Sequence, residues 1–178
     1  MPKAAAVTVR IPLASWGFTK VPPCRRTETS SPLGGRSGAH SARDGHAVAR
    51  RYVLDTHACV FMLTAPRKLG RLARKALEDV EAGRDEALAP AAVVAEVLVL
   101  RGLGRVGVGL PELRRAMEAS PGFRFLPLDL PQLDEFAALA AIRDPFDRLI
   151  VSATRSVRGT LITRDGALAD SGLVETLW

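Results

Sequence analysis

Four carboxylic acids stand at positions from which they could act together: Asp55, Glu96, Asp147 and Asp165. Asp55 and Asp165 each end a short apolar run, and Asp147 comes just before another. A local explanation exists for each of these three, because aspartate favours helix N-termini and Asp-Gly turns. Glu96 is different, since its neighbours three and four positions away are all apolar. A carboxylate isolated in an apolar helix must pair, take up a proton or bind a cation.

Several carboxylates gathered at one place would repel one another, and this repulsion favours a bound cation. Mg²⁺ and Mn²⁺ are hard cations that take oxygen ligands, so either would relieve it. Such a cluster can generate hydroxide from a bound water and stabilise negative charge on a phosphodiester. No histidine is needed as a general base. The residue types therefore favour metal-dependent hydrolysis, provided that the fold brings the acids together.

The stretch "RDPFDR" contains two aspartates, Asp144 and Asp147, on either side of a proline. Asp144 suits the N-cap of a helix, Pro145 its first position and Asp147 its third. We therefore predict that Asp144 caps the helix while Asp147 turns into a site. The alternative is that both aspartates contact a metal or its waters.

Apolar patterning predicts the elements that must position these acids. Short apolar runs indicate strands at 52–56, 86–91, 123–129, 160–165 and 174–178, and helical spacing indicates helices at 57–65, 68–82, 91–101, 111–119, 132–141 and from 144 onwards. Strands that alternate with helices imply right-handed crossovers and a mostly parallel sheet in an α/β fold. Sites in such folds form at the carboxyl ends of strands, where three of the acids fall.

The charge of the chain divides at about residue 50. Residues 1–50 carry eight Lys or Arg and two Asp or Glu, whereas residues 51–178 carry 17 of each. The first segment also holds five Pro, five Gly and five Ser without periodicity, which is typical of disorder. We interpret residues 1–50 as a disordered basic leader, a transit peptide or a mis-assigned start, and 51–178 as the working domain. Net charge alone does not indicate nucleic-acid binding by that domain.

The composition also bounds the compartment. No run approaches the roughly 20 apolar residues that a membrane span needs. Two cysteines, Cys24 and Cys59, are too few for a disulfide framework. A reducing compartment, the cytoplasm, is therefore expected.

Four motifs of the domain resemble those of one family. "YVLDTHACVFML", the lone acid in "VVAEVLVL", "RDPFDRLIVSAT" and "LITRDGAL" look like the motifs of PIN-domain ribonucleases, in the same order. The resemblance is closest to the VapC-type toxins of bacterial toxin–antitoxin pairs and covers about residues 51–178. Two positions depart from close relatives, which often have Trp at the place of Ala95 and His at that of Ile142. Neither position is a ligand in the pattern, so the departures bear on the subfamily more than on the chemistry.

The resemblance implies a three-layer α/β/α fold and a Mg²⁺- or Mn²⁺-dependent endoribonuclease. It implies metal-binding and catalytic acids at Asp55, Glu96, Asp147 and Asp165, an RNA substrate, a cognate antitoxin and a homodimer. Thr56 and Thr163 are candidates to orient acids or waters. His57 and Cys59 are interpreted as packing or surface residues.

Other function classes remain open on the sequence alone. "GLGRVG" at 102–107 matches the glycine pattern of dinucleotide-binding modules, which would need a strand before it and a helix directly after. That alternative predicts a nucleotide-binding Rossmann-like module without nuclease activity. A phosphotransferase with Asp55 as nucleophile lacks the usual D-x-D spacing, and a PIN-like binding protein without catalysis would not need four acids.

Overall fold

The structure is a computed structural model that describes residues 49–178. The predicted leader therefore lies outside the described residues, apart from its last two positions. Five parallel strands form one sheet in the order β3-β2-β1-β4-β5. Their bounds are β1 Arg51–Leu54, β2 Glu86–Pro90, β3 Phe123–Leu126, β4 Thr160–Ile162 and β5 Thr176–Leu177. The predicted α/β class with a parallel central sheet is confirmed.

Helices flank this sheet and connect its strands. They are α1 Thr56–Thr64, α2 Arg71–Glu81, α3 Ala91–Gly102, α4 Leu110–Ala119, α5 Leu130–Ala138, α6 Pro145–Ser156 and the short α7 Gly166–Asp170, with a 3-10 turn at Pro66–Lys68. All the predicted strands and helices are present, with bounds that differ by a few residues. Each strand ends before its predicted run does, because the pairing with a neighbour stops early, as at Leu126 in β3 and Ile162 in β4.

The order of the strands creates a switch point beside β1. The chain moves from β1 outward to β2 and β3, then returns to the other side of β1 to form β4 and β5. Leu54 of β1 pairs with Ile162 of β4, so these two strands end side by side. Ligands of open parallel sheets bind in the crevice where the strand order reverses, at the carboxyl ends. The residues directly after Leu54 and Ile162 therefore occupy the place where a site is expected.

The central strands are buried on both faces. Residues 52–54 of β1, 87–89 of β2 and 161–162 of β4 are all buried, as expected for a parallel sheet with helices on both sides. From α1, Ala58, Cys59 and Leu63 join this core. No helix among residues 49–178 combines the length and apolar character needed to cross a membrane.

Helix α3 is less buried than its composition suggests. Nearly every residue in it is apolar, yet Leu98 and Val99 are exposed, together with Leu103 just beyond its end. Only Val93, Val94 and Val97 of this helix are buried. The helix therefore presents an apolar outer face as well as an apolar inner face.

Candidate functional site

Asp55 is a buried carboxylate that connects the ends of two strands. It follows β1, and its backbone N–H donates to the carbonyl of Ile162 at 3.1 Å. Its carboxylate caps α1 by accepting from the N–H groups of His57 and of Ala58, the latter at 3.3 Å. The Thr163 hydroxyl donates to its second oxygen. The local explanation of Asp55 as an N-cap is thus correct, and the same side chain also faces the switch point.

Glu96 is held at the site by a hydroxyl from α1. The Thr56 hydroxyl donates to one Glu96 carboxylate oxygen at 2.5 Å, across the packed pair α1 and α3. Thr56 is buried, whereas Glu96 is partly exposed. The hydrogen bond from Thr56 explains how Glu96 is accommodated among its apolar neighbours in α3. It also shows that Glu96 lies next to α1, the helix that Asp55 caps. The predicted orienting roles of Thr56 and Thr163 match these two contacts.

The two aspartates at the start of α6 have different roles. Asp144 is the N-cap, and one of its oxygens accepts from the N–H groups of Phe146 at 2.8 Å and Asp147 at 3.1 Å. Pro145 is the first residue of the helix, as predicted. Asp144 is exposed and Asp147 partly buried. The predicted cap at Asp144 is confirmed, and the carboxylate of Asp147 takes no part in capping.

Asp165 follows β4 and caps the short helix α7. Its carboxylate accepts from the N–H groups of Ala167 at 2.7 Å and Leu168 at 3.2 Å. Its own N–H donates to the Thr163 hydroxyl at 3.0 Å. Since that hydroxyl in turn donates to Asp55, Thr163 joins the loop after β4 to the acid after β1. Of the two local explanations for this aspartate, an Asp-Gly turn or a helix N-terminus, the structure has the helix N-terminus.

The acids act on one another through space. The pKa of Asp147 is raised from its ordinary 3.8 to about 6, first by burial and then, in decreasing order, by the carboxylates of Asp144, Asp165, Glu96 and Asp55. The structure therefore brings all four predicted site acids, and Asp144, into one neighbourhood. Below, these five residues are called the acidic cluster.

The basic residue beside Asp147 does not neutralise the cluster. Arg148 turns away, and its guanidinium donates to the carbonyls of Phe136 at 2.7 Å and Ala137 at 3.3 Å near the end of α5. It also stacks over the Phe136 ring, 3.9 Å from the ring centroid. Arg148 thus ties α6 to α5 and leaves Asp147 without its charge.

The donor set of the cluster fits a hard divalent cation. Within residues 49–178, no group of three or more His, Cys, Asp or Glu side chains is arranged to hold a metal ion as it stands. The cluster nevertheless offers only carboxylate and hydroxyl oxygens, the ligands that Mg²⁺ and Mn²⁺ prefer. Repulsion among the carboxylates contributes, after burial, to the raised pKa of Asp147, and a bound cation would remove that repulsion.

Two residues near the cluster take no direct part in it. Cys59 is fully buried, and burial together with the nearby charge of Asp55 raises the pKa of its thiol to about 12. His57 is exposed, with its Nδ1 3.9 Å from an Asp55 oxygen. The interpretation of Cys59 as a packing residue and His57 as a surface residue is confirmed. Arg164 was not a candidate from the sequence, where its only signal was its place between Thr163 and Asp165.

The glycine pattern at 102–107 lacks the context that nucleotide binding requires. Gly102 ends helix α3, so a helix and not a strand precedes the pattern. Gly104 has a positive φ of 70° and serves the turn after that helix. The segment is therefore a loop between helices α3 and α4, and the dinucleotide-binding alternative loses its support.

Comparison with known proteins agrees with this architecture. The sequence profile of the PIN domain family matches residues 52–172. No curated protein sequence matches the chain. Among solved structures, the chain is similar to VapBC2 from Rickettsia felis bound to a DNA fragment from its promoter, with a TM-score of 0.53 and 18% identity over 72% of this chain and 98% of that one.

Two further structures have a similar fold. One is FitAcB from Neisseria gonorrhoeae, with a TM-score of 0.51 and 20% identity over 71% of this chain and 96% of that one. The other is VapBC-1 from nontypeable Haemophilus influenzae, with a TM-score of 0.52 and 12% identity over the same shares of the two chains. At these identities the likeness concerns the fold.

Proposed function

Since this chain belongs to the PIN domain family, whose members are nucleases, we propose that it is a Mg²⁺- or Mn²⁺-dependent endoribonuclease. The observation that carries the proposal is the convergence of acids from separate parts of the chain at the switch point of the sheet. Asp55 follows β1 and Asp165 follows the neighbouring β4, Thr163 joins the two, and Thr56 holds Glu96 next to α1. Asp55, Glu96, Asp144 and Asp165 also contribute to the raised pKa of Asp147. A structural role as helix caps explains three of these acids, but it does not explain why they converge on a fifth that caps nothing.

In this proposal Asp55, Glu96, Asp147 and Asp165 hold the cation. A bound Mg²⁺ or Mn²⁺ would lower the pKa of a coordinated water and stabilise negative charge on the phosphodiester. The chain's own contribution is preorganisation. Two hydroxyls hold the carboxylates of Asp55 and Glu96, so these acids need little rearrangement when a cation arrives. The Asp147 carboxylate accepts no hydrogen bond from residues 49–178, so it can turn toward the cation.

The test is RNA cleavage by the purified full-length chain with Mg²⁺, with Mn²⁺ and with a chelator. Asp55→Asn, Glu96→Gln and Asp147→Asn should each abolish metal-dependent cleavage and retain the fold. The matched control is Asp134→Asn, which removes one exposed carboxylate from α5 and should cleave like the parent. Full cleavage by the Asp147→Asn protein would contradict the assignment of the site.

A calorimetric Mn²⁺ titration separates a cap from a ligand within "RDPFDR". Asp144→Ser keeps a cap oxygen and should bind Mn²⁺ like the parent, whereas Asp147→Asn should bind it weakly. If Asp144→Ser weakens Mn²⁺ binding as much as Asp147→Asn does, both aspartates are ligands and the division between them is wrong.

We further propose that the enzyme acts in the cytoplasm as the toxin of a toxin–antitoxin pair, with a cognate antitoxin and a second copy of the chain as partners. The support is the resemblance of the motifs to VapC-type toxins and the VapBC name of two proteins of similar fold. Exposed apolar side chains supply surfaces with suitable chemistry, on α3 (Leu98, Val99 and Leu103) and around the start of α5 (Leu128, Leu130 and Leu133).

Partner binding is tested by expression in bacteria. Toxicity of the chain should be lost with Asp147→Asn, and the toxin role requires an adjacent short reading frame whose coexpression suppresses that toxicity. Light scattering of the purified protein should report a dimer. Unimpaired growth on expression of an active nuclease would contradict the toxin role but not the nuclease activity.

A further inference from the structure

Two exposed cations near the acidic cluster lie over one aromatic ring and are not paired with acids within residues 49–178. Phe61 of α1 is partly buried, and both the Lys68 ammonium and the Arg164 guanidinium lie over its ring, each 5.4 Å from the ring centroid. We call Phe61, Lys68 and Arg164 the cationic rim. Neither cation forms an ion pair with a carboxylate within residues 49–178. Their hydrogen-bond donors therefore remain available to an anion from solution.

This arrangement differs from that of many other basic residues in the domain. Seven of them are engaged with carboxylates: Arg51, Lys75, Arg84, Arg101, Arg115, Arg124 and Arg155. A side chain paired in this way has a reduced capacity to bind a phosphate. A cation held over a ring keeps its charge and its donors, while the ring restricts its motion.

The rim is continuous with the acidic cluster. Arg164 lies between Thr163, which bonds to Asp55, and Asp165. On α1, His57 stands 3.9 Å from Asp55 and its ring centroid lies 6.1 Å from that of Phe61. A strand whose phosphodiester reaches the cluster would therefore pass over the rim with its neighbouring phosphates.

A polyanion needs such a surface here. Each carboxylate of the cluster repels a nucleic acid, and the domain from residue 51 to 178 has no net positive charge to attract one. Attraction must therefore come from a local arrangement of cations. Three basic residues are adjacent in sequence to acids of the cluster: Arg143, Arg148 and Arg164. Of these, Arg148 donates to carbonyls of α5, whereas Arg164 lies over the ring of Phe61, which also carries Lys68.

We propose that the cationic rim binds the phosphates of a single-stranded nucleic acid that flank the bond held at the acidic cluster, with Phe61 as the residue that positions the two cations. This inference rests on the proposed nuclease function and extends it, because it assigns the path of the substrate. Lys68 and Arg164 contact phosphate, whereas Phe61 acts through them.

The experiment measures binding of a short fluorescent single-stranded RNA to the full-length chain at several salt concentrations. Ca²⁺ replaces Mg²⁺, since it takes the same oxygen ligands, and a gel checks that the strand stays intact. Arg164→Gln and Lys68→Gln should each weaken binding several-fold. Each should also reduce the slope of log affinity against log salt by about 0.7, the value for one phosphate contact on a single strand.

The variants of Phe61 test its positioning role. Phe61→Leu retains both charges, so it should weaken binding several-fold while leaving the salt slope nearly unchanged. Phe61→Tyr keeps an aromatic face and should restore the parent affinity. If Phe61 had a purely structural role, Phe61→Leu would change the melting temperature. It would not show a weaker affinity for the strand together with an unchanged salt slope.

Matched controls lie elsewhere on the domain. Arg114→Gln removes an exposed cation of α4, and Phe125→Leu removes an aromatic ring of β3 that is 49% exposed. Both should bind the strand like the parent. If Arg164→Gln and Lys68→Gln also bind like the parent, or if the parent binds no strand, the proposal that the cationic rim binds phosphates is wrong. Metal-dependent cleavage by the parent, with unchanged binding by the rim variants, would leave the nuclease function standing.

Discussion

Replacing Asp147 with asparagine should stabilise the metal-free protein, although it removes a residue assigned to the site. The folded state holds this carboxyl at a pKa of about 6, against 3.8 for the ordinary group. At about pH 3 and below, the side chain is protonated in both states and contributes nothing. As the pH rises toward the folded pKa, the unfolded state ionises first, so stability is lost, and above it the full cost remains.

The magnitude follows from the same values. One pKa unit corresponds to about 1.36 kcal/mol, so the difference between 3.8 and about 6 sets an upper limit of about 3 kcal/mol. Asp147 is partly exposed, and solvent screening reduces this limit to about 1–2 kcal/mol. Asparagine at the third position of α6 also forfeits a favourable interaction with the helix dipole, about 0.3–1 kcal/mol. A net gain of about 1 kcal/mol is expected.

The assay is urea unfolding in a chelator at about pH 7.5 and again at about pH 3. Asp147→Asn should raise the free energy of unfolding at the higher pH and leave it nearly unchanged at the lower one. The exposed Asp134→Asn serves as the control and should show no such pH dependence. Saturating Mn²⁺ should reverse the order, because only the parent gains binding energy. A variant no more stable than the parent at the higher pH would refute the electrostatic reasoning.

Three further predictions concern single side chains. Asp144→Ala should lower the free energy of unfolding by about 0.5–2 kcal/mol, and Asp144→Ser should restore it, as measured by chemical denaturation. Equal stability of Asp144→Ala and the parent would show that the Asp144 cap does not stabilise the protein. Thr163→Val should destabilise the protein by about 1–3 kcal/mol, because the buried Asp55 carboxylate loses a donor, whereas Thr163→Ser should be tolerated. Cys59, with its thiol pKa of about 12, should resist a thiol-reactive reagent in the folded protein and react on unfolding, as followed by mass spectrometry of peptides; rapid labelling of Cys59 in the native state would contradict its burial.

The sequence by itself determined the fold class and the order of the elements. Hydrophobic spacing and turn residues are local signals, so they located the five strands and helices α1 to α6 to within a few positions. The cap at Asp144 was also predictable, because N-capping depends only on residues within one helical turn. The four motifs were sufficient to identify the family that the profile over residues 52–172 then matched.

The tertiary structure alone decided how the acids relate to one another. Asp55 and Thr163 are far apart in sequence, and their hydrogen bond exists because β1 and β4 are neighbours in the sheet. The partner of Glu96 is a hydroxyl on another helix, which no local pattern indicates.

The same holds for charge. Seventeen acids and seventeen basic residues in 51–178 sum to zero, and this sum gave no support for nucleic-acid binding. The fold instead separates the charges, with carboxylates gathered around Asp147 and two cations held over Phe61. Composition counts charges without their positions, whereas electrostatic interactions depend on distance and burial, and folding sets both.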